Sequence, residues 1–149
     1  LDAQHFEGLP IYSLCGQEKW ARVVEIQGGG ILVIVFKDRG LFTKRRFSLW
    51  GIHCPEAQPS LLSPSWDLER KAAQRTKHIL ETRLLHKVVR VRFTREDRFG
   101  RAMGRIFLED GTDFNRWLCH NHFAVPCNHE DKCLSIADRI PRQIHDLKK

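Results

Sequence analysis

No apolar run in the 149-residue chain is long enough to span a bilayer, and no charged-then-apolar leader opens it, so a soluble protein without membrane insertion is expected. Framework cysteines are missing too. Five cysteines (Cys15, Cys54, Cys119, Cys127, Cys133) form an odd set without regular spacing, which leaves at least one unpaired and favours a reducing, intracellular compartment over secretion. Residue 1 is Leu, so a trimmed chain or the mature product of a precursor is expected, in the cytoplasm or in an organelle after loss of a targeting peptide. There is no internal repeat and no low-complexity segment. Acid is in short supply: 18 Asp and Glu stand against 25 Lys and Arg, giving a net charge of +7 and a pI near 9.5. That balance favours polyanions or an acidic protein surface as partner, the plainer reading being solubility.

What is present is an ordinary globular composition, 42% hydrophobic and 29% charged, at a length that makes one domain. Alternation predicts strands over 20–26, 31–36, 41–52, 89–93 and 103–108. Gly28-Gly29-Gly30 turns the first into the second, and Lys37-Asp38-Arg39-Gly40 turns the second into the third. After a Pro- and Ser-rich loop, Ser63 or Ser65 caps a helix running to about Leu84, with Leu68, Ala72, Thr76, Ile79 and Leu80 on its apolar face. Asp113 caps a second, short helix from Phe114 to about His120. Residues 130–149 are expected to be helical in pieces, broken at Pro141.

Two stretches carry chemistry. Leu49-Trp50-Gly51-Ile52-His53-Cys54-Pro55-Glu56 is a strand ending in a Pro corner that sets out one carboxylate, Glu56. Asp97-Arg98-Phe99-Gly100-Arg101 is a Gly turn that presents one guanidinium, Arg101. A carboxylate to orient water and a planar cation matched to phosphate oxygens suit phosphodiester chemistry. With Asn115-Arg116-Trp117-Leu118 and Ala124-Val125-Pro126, these motifs resemble, in order and spacing from about Lys19 to Lys132, the staphylococcal-nuclease-like (thermonuclease) family. The resemblance implies a mostly β, α+β fold: a five-stranded OB-type barrel with a covering helix and short C-terminal helices. It also implies a domain over 18–134, between an N-terminal arm (1–17) and a basic tail (135–149).

The same resemblance implies a catalytic site that this chain does not complete. The family holds calcium with acidic residues in the first strand turn and just before the Pro-Glu corner. Here those positions read Gln27-Gly28-Gly29-Gly30 and His53. The family's third-strand arginine is Ser48, with Arg46 two residues before it on the same strand face. Only Glu56 and Arg101 remain of the implied catalytic set, and they serve equally well as a structural ion pair. Removing one preorganised charge costs about 10²–10³ in rate, so a pseudo-nuclease without cofactor is expected, residual metal-dependent cleavage being the enzymatic alternative.

Such a barrel can still bind single strands, RNA being the expected one, through a cationic groove and stacking aromatics. The candidates are Arg45, Arg46, Arg90, Arg92, Arg95, Arg98, Arg101 and Arg105 with Phe99, against the plainer reading of a solvated basic face. A scaffold subunit of a larger, RNA-containing or organellar assembly is the alternative from another class. Cys119, His120, His122, Cys127, His129 and Cys133 fall within fifteen residues. A zinc site drawn from Cys119, His122, Cys127, His129 and Cys133 competes there with ordinary packing and helix capping. His122 stands where the family has a helix-ending Gly, and Asn121 is expected to take the left-handed conformation instead.

Overall fold

The computed structural model describes residues 12–56, 66–97 and 100–127. Its elements are β1 (Glu18–Gly28), β2 (Ile31–Asp38), β3 (Leu41–Leu49), β4 (Ile52–His53), α1 (Trp66–Leu84), β5 (Val88–Glu96), β6 (Ala102–Phe107), α2 (Phe114–His120) and β7 (Val125–Pro126). Five strands close into a barrel in the order β1-β2-β3-β6-β5, antiparallel except for the parallel β3–β6 seam, and β4 pairs with β7 outside it. The OB-type barrel with a covering helix expected from the sequence is the fold observed.

Alternation explains most of it. In β5, Val89, Val91 and Phe93 are buried while Arg92 is exposed and Arg90 half-buried, and in β6 Ala102, Gly104 and Ile106 point inward. In β1 a bulge between Val23 and Glu25 shifts the parity, which is why Ala21, Val23 and Ile26 can all face the core. Three phenylalanines fill the centre, with Phe93 5.2 Å from Phe36 and 5.9 Å from Phe47 between ring centroids. The chain enters alongside them: Leu14 is fully buried, and residues 16 and 17 exchange backbone hydrogen bonds with Phe93.

α1 lies over β1 and buries Ala72, Ala73, Thr76, Leu80 and Leu84, with Glu69 also enclosed. The expected face is therefore rotated slightly, since Leu68 and Ile79 are only half-buried. Residues 63–65, where its cap was expected, lie outside the described residues, as do 130–149. No helix among the described residues is long and apolar enough to cross a membrane.

Two local expectations are corrected. The third strand does not run through to Ile52: it stops at Leu49, Gly51 takes φ 80°, and the chain turns into β4. The cause lies in α2, whose N-cap is Asp113 as expected and whose second residue is the fully buried Asn115. Asn115 Nδ2 donates to Trp50 O (2.9 Å) and Gly104 O (3.1 Å), and its Oδ1 accepts from Ile106 N (3.2 Å). Trp50 N donates to the same Gly104 carbonyl at 2.8 Å, so β3 is diverted there. At the other end of α2 it is His122, at φ 62°, that goes left-handed, while Asn121 (φ −98°) caps the helix; the Asn121 N–H donates to Trp117 O (3.0 Å) and the His122 N–H to Cys119 O (3.2 Å).

Gly104 is required for closure. A Cβ built there would fall 1.9 Å from Arg92 O and 3.2 Å from Phe47 Cζ. Backbone at that distance cannot yield without parting β5 from β6, so Gly104→Ala is expected to destabilise the barrel by about 2–4 kcal/mol. Asn115→Ala, which strands buried backbone groups, is expected to cost a similar amount, about 2–4 kcal/mol. Urea unfolding measures both, and a Gly104→Ala midpoint equal to that of the parent would refute the close-approach argument.

Candidate functional site

The corner that displays Glu56 is built where β3 meets the β1–β2 turn. Ile31 pairs with Ser48, and Leu49 N donates to Gly30 O at 3.0 Å, so the Gly28–Gly30 turn lies against the strand end. Cys54 occupies the space beneath it: its Sγ would sit 3.2 Å from a Cβ on Gly30. Burial, with Cys119 nearby, pushes the Cys54 thiol up to about 12, so it is neutral at physiological pH. His53 pairs with Val125 across β4–β7, Pro55 is buried, and Glu56 is exposed.

The second half is the turn between β5 and β6. Gly100 N donates to Asp97 O (3.2 Å), and Asp97 accepts from Arg101 twice, from the backbone N–H at 2.9 Å and from Nε at 3.1 Å. Arg101 thus has its carboxylate partner in Asp97 and not in Glu56, which removes the Glu56–Arg101 ion pair as the structural explanation for both. Arg45 reaches the same turn, donating from Nη1 to Gly100 O (3.2 Å) with Glu96 at 3.6 Å. The parallel seam sets Phe47 opposite Ala102, so Arg46 and Arg101 come one residue ahead of that pairing on neighbouring strands. Both therefore lie on the outer face of the seam, Arg46 exposed and Arg101 half-buried.

The other candidate cations divide into separate contacts. Arg90 and Arg92 both lie against Phe107, 5.0 and 4.9 Å from its centroid, and both face Glu18, at 3.8 and 2.8 Å. Arg105 is paired with Asp113 at 2.9 Å. Arg95 lies 5.4 Å over the Trp50 ring. Among the described residues Arg46 and Arg95 have no carboxylate partner, whereas Arg45, Arg90, Arg92, Arg101 and Arg105 each have one. Arg98 and Phe99 lie outside the described residues.

The sequence did not single out Phe107 or the carboxylates Glu18 and Glu96, and it marked Asp113 only as a helix cap. Phe107 could have been found from the β6 alternation that places it on the outer face with Arg105. The carboxylate pairings could not, because they depend on strand register.

The zinc reading loses part of its donor set. Cys127 is disulfide-bonded and has no thiolate to offer. Burial pushes the Cys119 thiol up to about 11, and His129 and Cys133 lie outside the described residues. Among the described residues no three His, Cys, Asp or Glu side chains converge as a metal site.

A family model described as staphylococcal nuclease homologue matches residues 46–143. Among solved structures, the extended Tudor domain of Drosophila melanogaster Tudor-SN (p100) aligns at a TM-score of 0.41 with 10% identity, over 96% of this chain and 72% of that one. No curated protein matches the chain.

The residues present do not fit the calcium ion that the nuclease resemblance implies. A hard dication takes six or more oxygen ligands, several of them charged. This corner offers a Gly turn without side chains, a neutral thiol wedged beneath it, an imidazole and the single carboxylate of Glu56. Saturating Ca²⁺ is therefore expected to leave the melting temperature within about 1 °C of the metal-free value, because an ion that does not bind the native state cannot stabilise it. Differential scanning fluorimetry checks this, and a rise of several degrees would show a ligand set that these residues do not suggest.

Proposed function

The chain belongs to the staphylococcal nuclease homologue family, and from that premise we propose that it uses the barrel to hold single-stranded nucleic acid without cutting it. The observation that carries the reading is the β3–β6 seam, which sets Arg46 beside Arg101 at the Gly100 turn. Arg101 is fixed through Nε by Asp97, which orients its guanidinium while offsetting its charge, so Arg46 carries the net positive charge of the pair. Arg46 is exposed, and Arg95 lies on Trp50 close by. Guanidiniums suit the phosphate backbone because their planar fork bonds two oxygens at once. The net charge of +7 adds a long-range attraction for a polyanion.

Cleavage needs more than this surface. A water must be activated and the developing charge on phosphorus neutralised. Glu56 alone at the corner, with Ser48 in place of a cation and no ligand set for a metal, leaves both tasks undone. Each missing electrostatic group accounts for about 10²–10³ in rate, so the product of two such losses places cleavage at background. RNA is the strand we expect, and the barrel region, 18–134, is the part expected to carry the binding.

One observation favours the scaffold reading. Trp20, 63% exposed, and Val88, 48% exposed, line an open groove of about 690 Å³ with Leu108. An uncovered tryptophan beside apolar neighbours is the kind of feature a protein partner covers.

Fluorescence anisotropy with a labelled single-stranded RNA, over a series of salt concentrations, separates the two. Binding that weakens steeply with salt, and that drops about tenfold or more in Arg46→Ala/Arg101→Ala with an unchanged melting temperature, is the expected result. Absence of binding at low salt overturns the nucleic-acid reading. The same RNA is expected to stay intact with Ca²⁺ or Mg²⁺, and divalent-dependent cleavage abolished by Glu56→Gln would overturn the loss of catalysis.

A further inference from the structure

The hairpin joining β2 to β3 carries a feature that neither nuclease chemistry nor strand binding uses. Its turn is the two residues Arg39 and Gly40, both left-handed (φ 51° and 80°), the geometry that suits a tight two-residue hairpin. Directly after it, Leu41 is 72% and Phe42 79% exposed. Successive residues of a strand point to opposite faces, so exposure of both means that the tip stands clear of the barrel on both sides. It is a convex apolar apex and not the wall of a groove.

Cations surround this apex. Lys37 pairs in register with Phe42 and holds its ammonium 5.4 Å over the Phe42 ring. Arg39 sits at the turn, and Lys44 is exposed two residues beyond Phe42. The one carboxylate between Lys37 and Lys44 is Asp38, which is buried. It accepts a hydrogen bond from the Tyr12 hydroxyl and has Lys19 and Arg39 at 3.6 and 3.8 Å. The Tyr12 hydrogen bond first, then the two cations, hold its carboxyl below the usual carboxylate range. Asp38 therefore stays ionised, pins the base of the hairpin, and shows almost no negative charge outward.

We propose that this tip docks on an anionic lipid surface, with Leu41 and Phe42 entering the headgroup–acyl boundary and Lys37, Arg39 and Lys44 resting among the lipid phosphates. A convex apolar point ringed by cations is complementary to such an interface, which supplies apolar depth and negative charge in the same place. Nucleic acid fits it less well, because Leu41 has no ring face on which a base can stack. The shallow depth needed is reached by the tip alone, and Lys37–Phe42 and Asp38–Leu41 pairing keeps the strand backbone hydrogen-bonded behind it. The tip lies at the opposite end of β3 from Glu56, so it is separate from the seam proposed to hold nucleic acid.

Co-sedimentation with vesicles of phosphatidylcholine containing about 30 mol% phosphatidylserine tests this, against vesicles of phosphatidylcholine alone. The protein is expected to sediment with the anionic vesicles and to be released by salt. Leu41→Ser/Phe42→Ser is expected to weaken vesicle binding about tenfold or more while keeping its melting temperature and its RNA affinity, since both side chains are exposed. Lys37→Gln/Lys44→Gln, which keeps the apolar apex, is expected to lose about fivefold per charge. No sedimentation with anionic vesicles, or equal sedimentation of the Leu41→Ser/Phe42→Ser variant, overturns the proposal. Loss of RNA binding in that variant with vesicle binding retained would instead assign the tip to nucleic acid.

Discussion

Closure of this barrel rests on a single buried amide. Asn115 is fully enclosed and distributes its hydrogen bonds among Trp50, Gly104 and Ile106, three backbone groups from the turn after β3 and from β6, which are distant in sequence. Buried backbone groups left unpaired are expensive, so the arrangement admits only one seating of α2 against β6. That seating in turn diverts the chain at Trp50, and the diversion creates the corner from which Glu56 projects. The same region needs Gly104, where the Arg92 carbonyl occupies the place a side chain would take. Asn115 and Gly104 thus act on the two sides of β6: Asn115 ties it to the Trp50 turn, and Gly104 lets β5 come close on the other side.

Charge is organised on a second principle. A surplus of cations on a small barrel would repel itself, and the fold answers by tying arginines to carboxylates at specific positions: Glu18 for Arg90 and Arg92, Asp97 for Arg101 and Asp113 for Arg105 on the outer face, and Glu96 for Arg45 on the face that Phe47 shares. These exposed and half-exposed pairs contribute little each to stability. Their effect is to orient. A guanidinium held by one edge keeps its remaining donors pointed outward, and the uncompensated Arg46 then provides the net positive charge at the seam.

How much of this was legible in the sequence follows from the range of the interactions. The barrel strands and α2 were readable because alternation in β5 and β6 and the Asp113 cap are local signals. The break after Leu49 was not, because Trp50 and Ile52 are apolar residues that could continue the strand and the agent that stops it, Asn115, is 65 positions from Trp50. The arginine cluster was visible as composition, but its partition was hidden: Glu18 and Arg92 are 74 residues apart and meet only through the β1–β5 register. At the end of α2 the departure from Gly was recognised at His122, yet the left-handed strain was assigned to Asn121, the residue with the better intrinsic tolerance. Tertiary contact overrode that preference: the Asn121 side chain instead reaches back to Trp117 O at 2.9 Å, which holds it in the helical turn.

The corner shows how packing closes the fold at a point where the nuclease resemblance implies a metal site. A cluster of carboxylates without a cation is self-repelling, and each member would have its proton affinity raised until one of them took a proton. Retaining the cluster without the metal would therefore weaken the fold. Here the turn is three glycines, and the space beneath it is filled by the Cys54 thiol, kept neutral by burial. Cys54 packed against Gly30 fills this point of the barrel. Glu56, single and exposed at the corner, meets no such repulsion.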